Sequence, residues 1–452
     1  MNQIRSIDLK GTISFNEVVE KVMEHHHQFP SEWIEGRGWD QNDWEIKEFP
    51  TRELLDKAFP DNPVYLTRID GHAAIVNSEA LKRAGITKET KVTGGEIIQE
   101  NEQPTGLLLD NAMELISKII PPLGIDEQRK ALQLAEAKCF AVGLTSVQDA
   151  GLEKEIVDLI DLMQKEGALK MRIYAMLTPS EANLNSYLMK GPFATDYLTV
   201  RSVKLYADGA LGSRGARMIE AYSDDPGNSG LLMYEPDFYK NICELALQNG
   251  FQVNTHAIGD EGNRFVLDLY SQFLKGKNDN RWRIEHAQVI HPDDFQKFNE
   301  FSIIPSVQPT HATSDMYWAE DRVGAKRIKG AYAYKELLKQ NGWIPLGTDF
   351  PVENINPLYT FYAAVARKDM KGWPEEGYQI ENAINREEAL KGMTIWAAKA
   401  AFEENNKGSI EPGKFADFVI LDSDIMTVEI DKIPSITVFS TFLNGKKVFE
   451  IK

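Results

Sequence analysis

Cysteine is nearly absent from this 452-residue chain, which holds only Cys139 and Cys243, far apart in sequence. Two distant cysteines exclude a disulfide framework and offer no zinc-binding spacing. Cations are also in short supply: 50 Lys and Arg stand against 68 Asp and Glu, for a formal net charge of -18. That balance argues against nucleic acid or an anionic membrane as partner, because both require clustered Lys and Arg. No apolar run reaches the roughly 18 residues a membrane helix needs. The opening MNQIRSIDLKGT has no apolar leader core, so a cytoplasmic location is the expectation unless a leader preceding this segment has been lost. No Gly-rich phosphate loop follows a first strand, as a doubly wound nucleotide-binding sheet would require. What is present is a soluble globular composition, 42% hydrophobic and 26% charged, in a chain too long for one simple core.

From about residue 126 onward, short apolar strands alternate with helices. DEQRKALQLAEAKCFAVG reads as a helix closed by Gly143, and LTSVQDAG as the strand after it. LKMRIYAMLTP, VRSVKLYADG, FQVNTHAIGD, RWRIEHAQVI, SIIPSVQPTH and WIPLGTDFPVE read as further strands, with helical stretches between most of them. This is the pattern of βα units around a parallel sheet. Polar residues at successive strand ends favour a (β/α)8, TIM-like barrel, whose carboxyl strand ends form the active site. Residues 85–110 read as a β-hairpin insertion, with turns at Gly94-Gly95 and Asn101-Glu102. Residues 408–452 read as short strands with an Asn444-Gly445 turn, part of a small β-domain beside a barrel spanning 1–407.

Four strand ends carry ionisable side chains: Lys204, His256, His286 and Asp349. Two neutral imidazoles suit zinc or a similar divalent ion. A carboxylate can bind metal and take a proton from bound water, whose pKa the ion lowers to about 7. Lys204 is the odd member, since an ammonium beside a cation is repelled. It fits if it is neutral and carboxylated by CO2, because a lysine carbamate is an anion with two oxygens. Alone, each of these residues is as well explained by core hydrogen bonding or by a snorkelling lysine. Their recurrence at successive strand ends points to a site.

The order Lys, His, His, Asp resembles the amidohydrolase superfamily. The segments RGWDQNDW, RIDGHAAIVNSEAL, PTGLLLD, KLYADGALGSRGA, THAIGD, IEHAQ, SVQPTH and GTDFPVENINPL are similar to its YtcJ-like branch, which includes N-substituted formamide deformylases. The closing GSIEPGKFADFVILD resembles the return into the family's small β-domain. The resemblance implies that Lys204 is the carboxylated, metal-bridging lysine. His256 and His286 would hold the more exposed ion. Asp349 would hold the buried one, act as general base, and pass the proton to the leaving amine. His72, Arg214 and His311 would line the pocket, with Trp39 and Trp44 as aromatic wall or core.

The chain departs from the family pattern in lacking the strand that ends in His-x-His. His25 and His27 spell that motif formally, but they fall at the end of a helix, FNEVVEKVMEHHHQF, where residues two apart face different ways. A barrel without its first strand, poor metal binding and little activity of this chain are the expectations. Three readings follow. The leading one is hydrolysis of an amide-like C–N bond of a small molecule by metal-bound hydroxide. A non-catalytic relative that binds a ligand or one metal is the second. The third is a lactone or ester hydrolase on the same site, since hydroxide attack does not separate C–N from C–O cleavage. The oligomer is left open, with a homodimer as one outcome.

Overall fold

The computed structural model describes residues 6–451. The chain divides into two compact units, one of residues 1–131 with 208–234, the other of 132–207 with 235–452. This differs from the expected division at residue 407.

The first unit is built on a six-stranded sheet in the order Ile7–Asp8, Ile34–Trp39, Val64–Arg68, Ala73–Val76, Gln103–Asp110, Gly95–Glu100. Its first three strands run parallel and the rest antiparallel. The expected hairpin is shorter than 85–110. Its strands are Gly95–Glu100 and Gln103–Asp110, and it turns at Asn101 and Glu102 with φ of 49° and 61°; the helix Ser78–Arg83, capped by the Asn77 side chain, precedes it. The helix Phe15–Gln28 holds Val18, Val19 and Val22 against Leu9, Leu55 and Leu66. His25 and His27 sit in its last turn, as expected. Trp39 lies in that same core with no exposed surface, and its indole N–H donates to the Leu66 carbonyl at 2.8 Å. The reading of Trp39 as substrate-binding wall is therefore corrected: a large apolar ring with its one donor satisfied is a core residue. Trp44, 5.9 Å away between ring centroids, is buried beside it.

The second unit carries the parallel wall. Strands Ser146–Leu152, Arg172–Leu177, Leu198–Tyr206, Gln252–Ala257, Arg283–His286 and Ile304–Ser306 are neighbours in chain order, all parallel. The two-residue strand Phe193–Ala194 pairs antiparallel with the third. Helices Lys154–Lys165, Pro236–Gln248, Asp260–Phe273 and Phe295–Glu300 alternate with these strands, so the wall is a curled half-barrel of βα units. The strand expected at WIPLGTDFPVE is reduced to one parallel bridge, Val307 to Leu346. Pro345 and Pro351 offer no N–H to a ladder, and the Leu346 N–H goes to Gly392 O instead.

The tail folds as the antiparallel sheet Phe418–Leu421, Val438–Leu443, Lys446–Glu450, with the expected turn at Asn444 and Gly445 (φ 50° and 71°). It is clamped onto the parallel wall. Arg172, 2% exposed, grips Asp417 with two nitrogens at 2.6 and 3.0 Å, and the Thr441 hydroxyl donates to Phe140 O at 2.7 Å. No helix among the described residues is long and apolar enough to cross a membrane.

Candidate metal centre

The carboxyl ends of the parallel strands bring together most of the residues singled out in the sequence. Tyr206 pairs with His256 across one strand boundary and Ala257 with His286 across the next, so the two histidines stand on adjacent strands. Their rings meet edge to face, with centroids 4.7 Å apart. His286 in turn stacks on His311 at 5.6 Å. Asp349 completes the group: single ligand atoms of His286, His311 and Asp349 all lie within 4.8 Å of one another. Lys204, 3% exposed, sits one strand from His256, its ammonium 3.6 Å above the Tyr206 ring and 3.3 Å from Leu205 O.

His311 joins this group from an element that the sequence does not predict. The segment SVQPTH looked like a strand end, with His311 on the pocket wall. Instead Pro309 opens a helix, Pro309–Asp315, and His311 projects from its first turn into the ligand cluster. Proline at the first helical position was the available signal. His286 and Asp349 both adopt positive φ, 74° and 55°. Such conformations are uncommon for non-glycine residues and tend to gather where a side chain must be aimed.

Electrostatics divide the cluster. Burial pushes the pKa of His286 down to about 4, aided by His311 and Lys204 and opposed by Asp349, so its imidazole is neutral at pH 7. Burial acts the same way on His311, but there contact with Asp349 and the charges of Asp349, Glu353 and Asp315 prevail, and its pKa rises to about 9. Burial raises the pKa of Asp349, yet His311, His286 and Lys204 outweigh it and hold the carboxyl below its usual range. The Lys204 amine is pushed down to about 8 by burial, against Glu285 and Asp349. Beneath the mouth, Arg283 and Glu285 form a buried ion pair at 2.8 Å, and Arg283 also holds Gln148.

The donor set fits a divalent cation. His311 Nε2 is buried without a hydrogen-bond partner, and its nearest anion, Asp349 Oδ2, stands 3.5 Å away. Two imidazoles and a carboxylate around such a gap are the ligand types zinc and its neighbours take.

His72 and Arg214 belong to the first unit, where each is committed to a carboxylate of that unit. His72 Nδ1 lies 2.8 Å from Asp110 Oδ1. Arg214 reaches Asp224 with two nitrogens at 3.2 and 2.9 Å. A separate cavity of about 280 Å3 opens at the amino ends of the parallel strands, between Arg172, Arg201, Phe402 and Lys407. It does not include the histidine cluster.

Residues 1–449 match the family described as "Amidohydrolase family". YtcJ of Bacillus subtilis (strain 168) is 32% identical over 98% of this chain and 85% of its own length. The N-substituted formamide deformylase of Arthrobacter pascens is 25% identical over 97% of this chain and 83% of its own. A crystal structure of an uncharacterized metal-dependent hydrolase from Pyrococcus horikoshii OT3 superposes with a TM-score of 0.75 at 30% identity, covering 95% of this chain and 84% of that one. The chain belongs to the amidohydrolase family, in its YtcJ-like branch, and is a hydrolase by that membership.

Proposed function

We propose that this protein is a metal-dependent hydrolase that cleaves an amide-like C–N bond in a small molecule. The observation that carries the reading is the convergence of His286, His311 and Asp349 to within 4.8 Å at the carboxyl ends of a parallel half-barrel. The similarity to a formamide deformylase supports the choice of C–N over C–O cleavage.

His286, His311 and Asp349 would hold the ion, with His256 beside them. A divalent ion there, with zinc the first choice for this donor set, supplies Lewis acidity and makes water acidic enough to yield hydroxide near neutral pH. Asp349 retains 34% of its side-chain surface, so it can both ligate and meet the reactants. It takes a proton from the attacking water and delivers it to the departing nitrogen, which leaves as an amine. His286, neutral at pH 7, brings a lone pair with no proton to displace. His311 must give up its proton as the ion arrives. Lys204 has a deprotonated fraction at neutral pH, because its pKa is pushed down to about 8. That free amine can add CO2 and release one of its protons to water, which would replace a buried cation with a carbamate anion facing the cluster.

The test is a panel of N-substituted formamides and other small neutral amides beside matched esters and lactones. Each is assayed with the purified protein before and after chelation, together with metal analysis. Because the His-x-His strand is lacking, weak amide turnover that disappears with chelator and returns with zinc is the expected result. Turnover of esters alone, or turnover indifferent to chelation, overturns the proposal.

A further inference from the structure

Gln308 entered the sequence reading only as part of SVQPTH, yet its contacts reach both histidines of the cluster. The residue is buried, with its amide oxygen 2.7 Å from His286 Nδ1. Its amide nitrogen donates to the Ser306 carbonyl at 3.3 Å. The second contact fixes the first. A flipped amide would set its oxygen against the Ser306 carbonyl oxygen, two acceptors with no proton between them. With the oxygen facing His286, Nδ1 must be the donor. A neutral imidazole has one N–H, so Nε2 keeps its lone pair and is the nitrogen left for a cation.

The backbone of the same residue serves the other histidine. The Gln308 carbonyl accepts from the His311 N–H at 3.0 Å and from the Tyr334 hydroxyl at 3.0 Å, and Tyr334 is itself buried. The first turn that carries His311 is thereby pinned to the neighbouring helix, Tyr334–Asn341. The side chain cannot cap the helix it precedes, and no cap bond is formed. It is spent on His286.

We infer that Gln308 is the positioning residue of this centre: its amide oxygen holds His286 as the Nδ1–H tautomer and so presents Nε2 to a divalent ion. The inference rests on the reading of the cluster as a metal centre, but the tautomer can be measured without metal.

The experiment uses the full chain with 15N-labelled histidine, metal-free, as wild type, Gln308→Leu and Gln308→Glu. Ring-nitrogen shifts report the tautomer, zinc titration against a competing chelator reports affinity, and thermal melts report folding. In the wild type, His286 is expected to be protonated at Nδ1. In Gln308→Leu the tautomers mix and zinc binding weakens by about 10- to 100-fold, the usual loss when such a support is removed. Gln308→Glu keeps the acceptor toward His286 and loses the donor to the Ser306 carbonyl, so it should restore the Nδ1–H tautomer and bind zinc more tightly than Gln308→Leu. Protonation at Nε2 in the wild type overturns the inference, as does undiminished zinc affinity in a folded Gln308→Leu. If the Leu variant does not fold, the wild-type tautomer and the Glu variant still decide. If the wild type takes up no zinc, the hydrolase reading falls, and the tautomer alone then judges Gln308.

Discussion

Two histidine–aspartate pairs, one in each unit, show what separates a structural contact from a site. In the first unit His72 and Asp110 meet at 2.8 Å. Asp110 is held in place from behind. A Cβ on Gly209 or Gly215 would come within 2.6 Å of its carboxylate oxygens, so the backbone closes around it as only glycine allows. The residue also has φ 49° and ψ -125°, a strained conformation that persists only under firm surroundings. In the second unit His311 and Asp349 stand 3.5 Å apart, with His286 inside the same 4.8 Å circle. In the first pair His72 is joined to Asp110 through Oδ1, and no third metal-binding side chain completes a cluster there among the described residues, although Oδ2 is buried without a hydrogen-bond partner. The second has three donor groups around a gap and keeps part of its carboxylate exposed, which is what a cation requires.

The largest expected effect breaks the second pair. Asp349→Asn removes the one carboxylate of the ligand set, and zinc affinity should fall by at least about 100-fold, beyond the loss from a missing supporting residue. Competition with a chromogenic chelator measures it. Affinity near wild type would place the ion elsewhere. The matching change in the first pair is Asp110→Ala, expected to cost stability instead. Removing one partner of a buried charged pair costs about 3–5 kcal/mol, read from denaturant melts. An unchanged midpoint would refute the structural role given to this pair.

A third prediction concerns pH and sharpens the contrast. The His311 pKa rises from 6.5 to about 9 in the folded chain. Without metal, the stability this pair contributes is complete below pH 6.5 and is lost as pH rises through 9. A cation must displace that proton, so zinc affinity should move the other way. It should rise about tenfold per unit from pH 7 to pH 9 and level off above. Asp349 is ionised and His286 neutral throughout this window, so neither adds to the slope, whereas Lys204, pushed down to about 8, steepens it as its ammonium is lost. A flat profile in calorimetry would show that His311 is not a ligand. The smallest effect is Gly209→Ala, whose methyl would press on Asp110. Displacement of a packed neighbour costs about 1–3 kcal/mol, and a melt unshifted from wild type would remove the glycine clamp from the account.

The parallel wall was legible because each strand is a short apolar run ending in a polar residue, as in VNTHAIGD and IEHAQVI. Lys204, His256, His286 and Asp349 stand out in the sequence for the same reason, and of these His286 and Asp349 fall in the candidate metal group. The last strand was overread, since the apolar residues of WIPLGTDF suggested a ladder that Pro345 and Pro351 do not permit. The helix that carries His311 is hidden in the sequence because SVQPTH has the apolar-then-polar form of the strand ends, and Pro309 is the one residue that marks a helix start. The first unit was the least legible. Its strand Ala73–Val76 pairs with Gln103–Asp110, about thirty residues away, and a pairing of that kind leaves no local period. Trp39 shows the limit at one residue: an aromatic beside Asp40 reads equally as pocket or core, and only its zero exposure settles it.

The grip of Arg172 on Asp417 spans 245 residues of chain, which sets an order of events during synthesis. At roughly 5–20 residues per second, Asp417 leaves the ribosome about 12 to 50 s after Arg172. For that interval the second strand of the wall carries a guanidinium whose counter-ion does not yet exist, and the interior cannot close over it without leaving the charge unpaired. The wall therefore waits for the tail, and a nascent chain interrupted before residue 417 should remain open to protease at the amino ends of these strands.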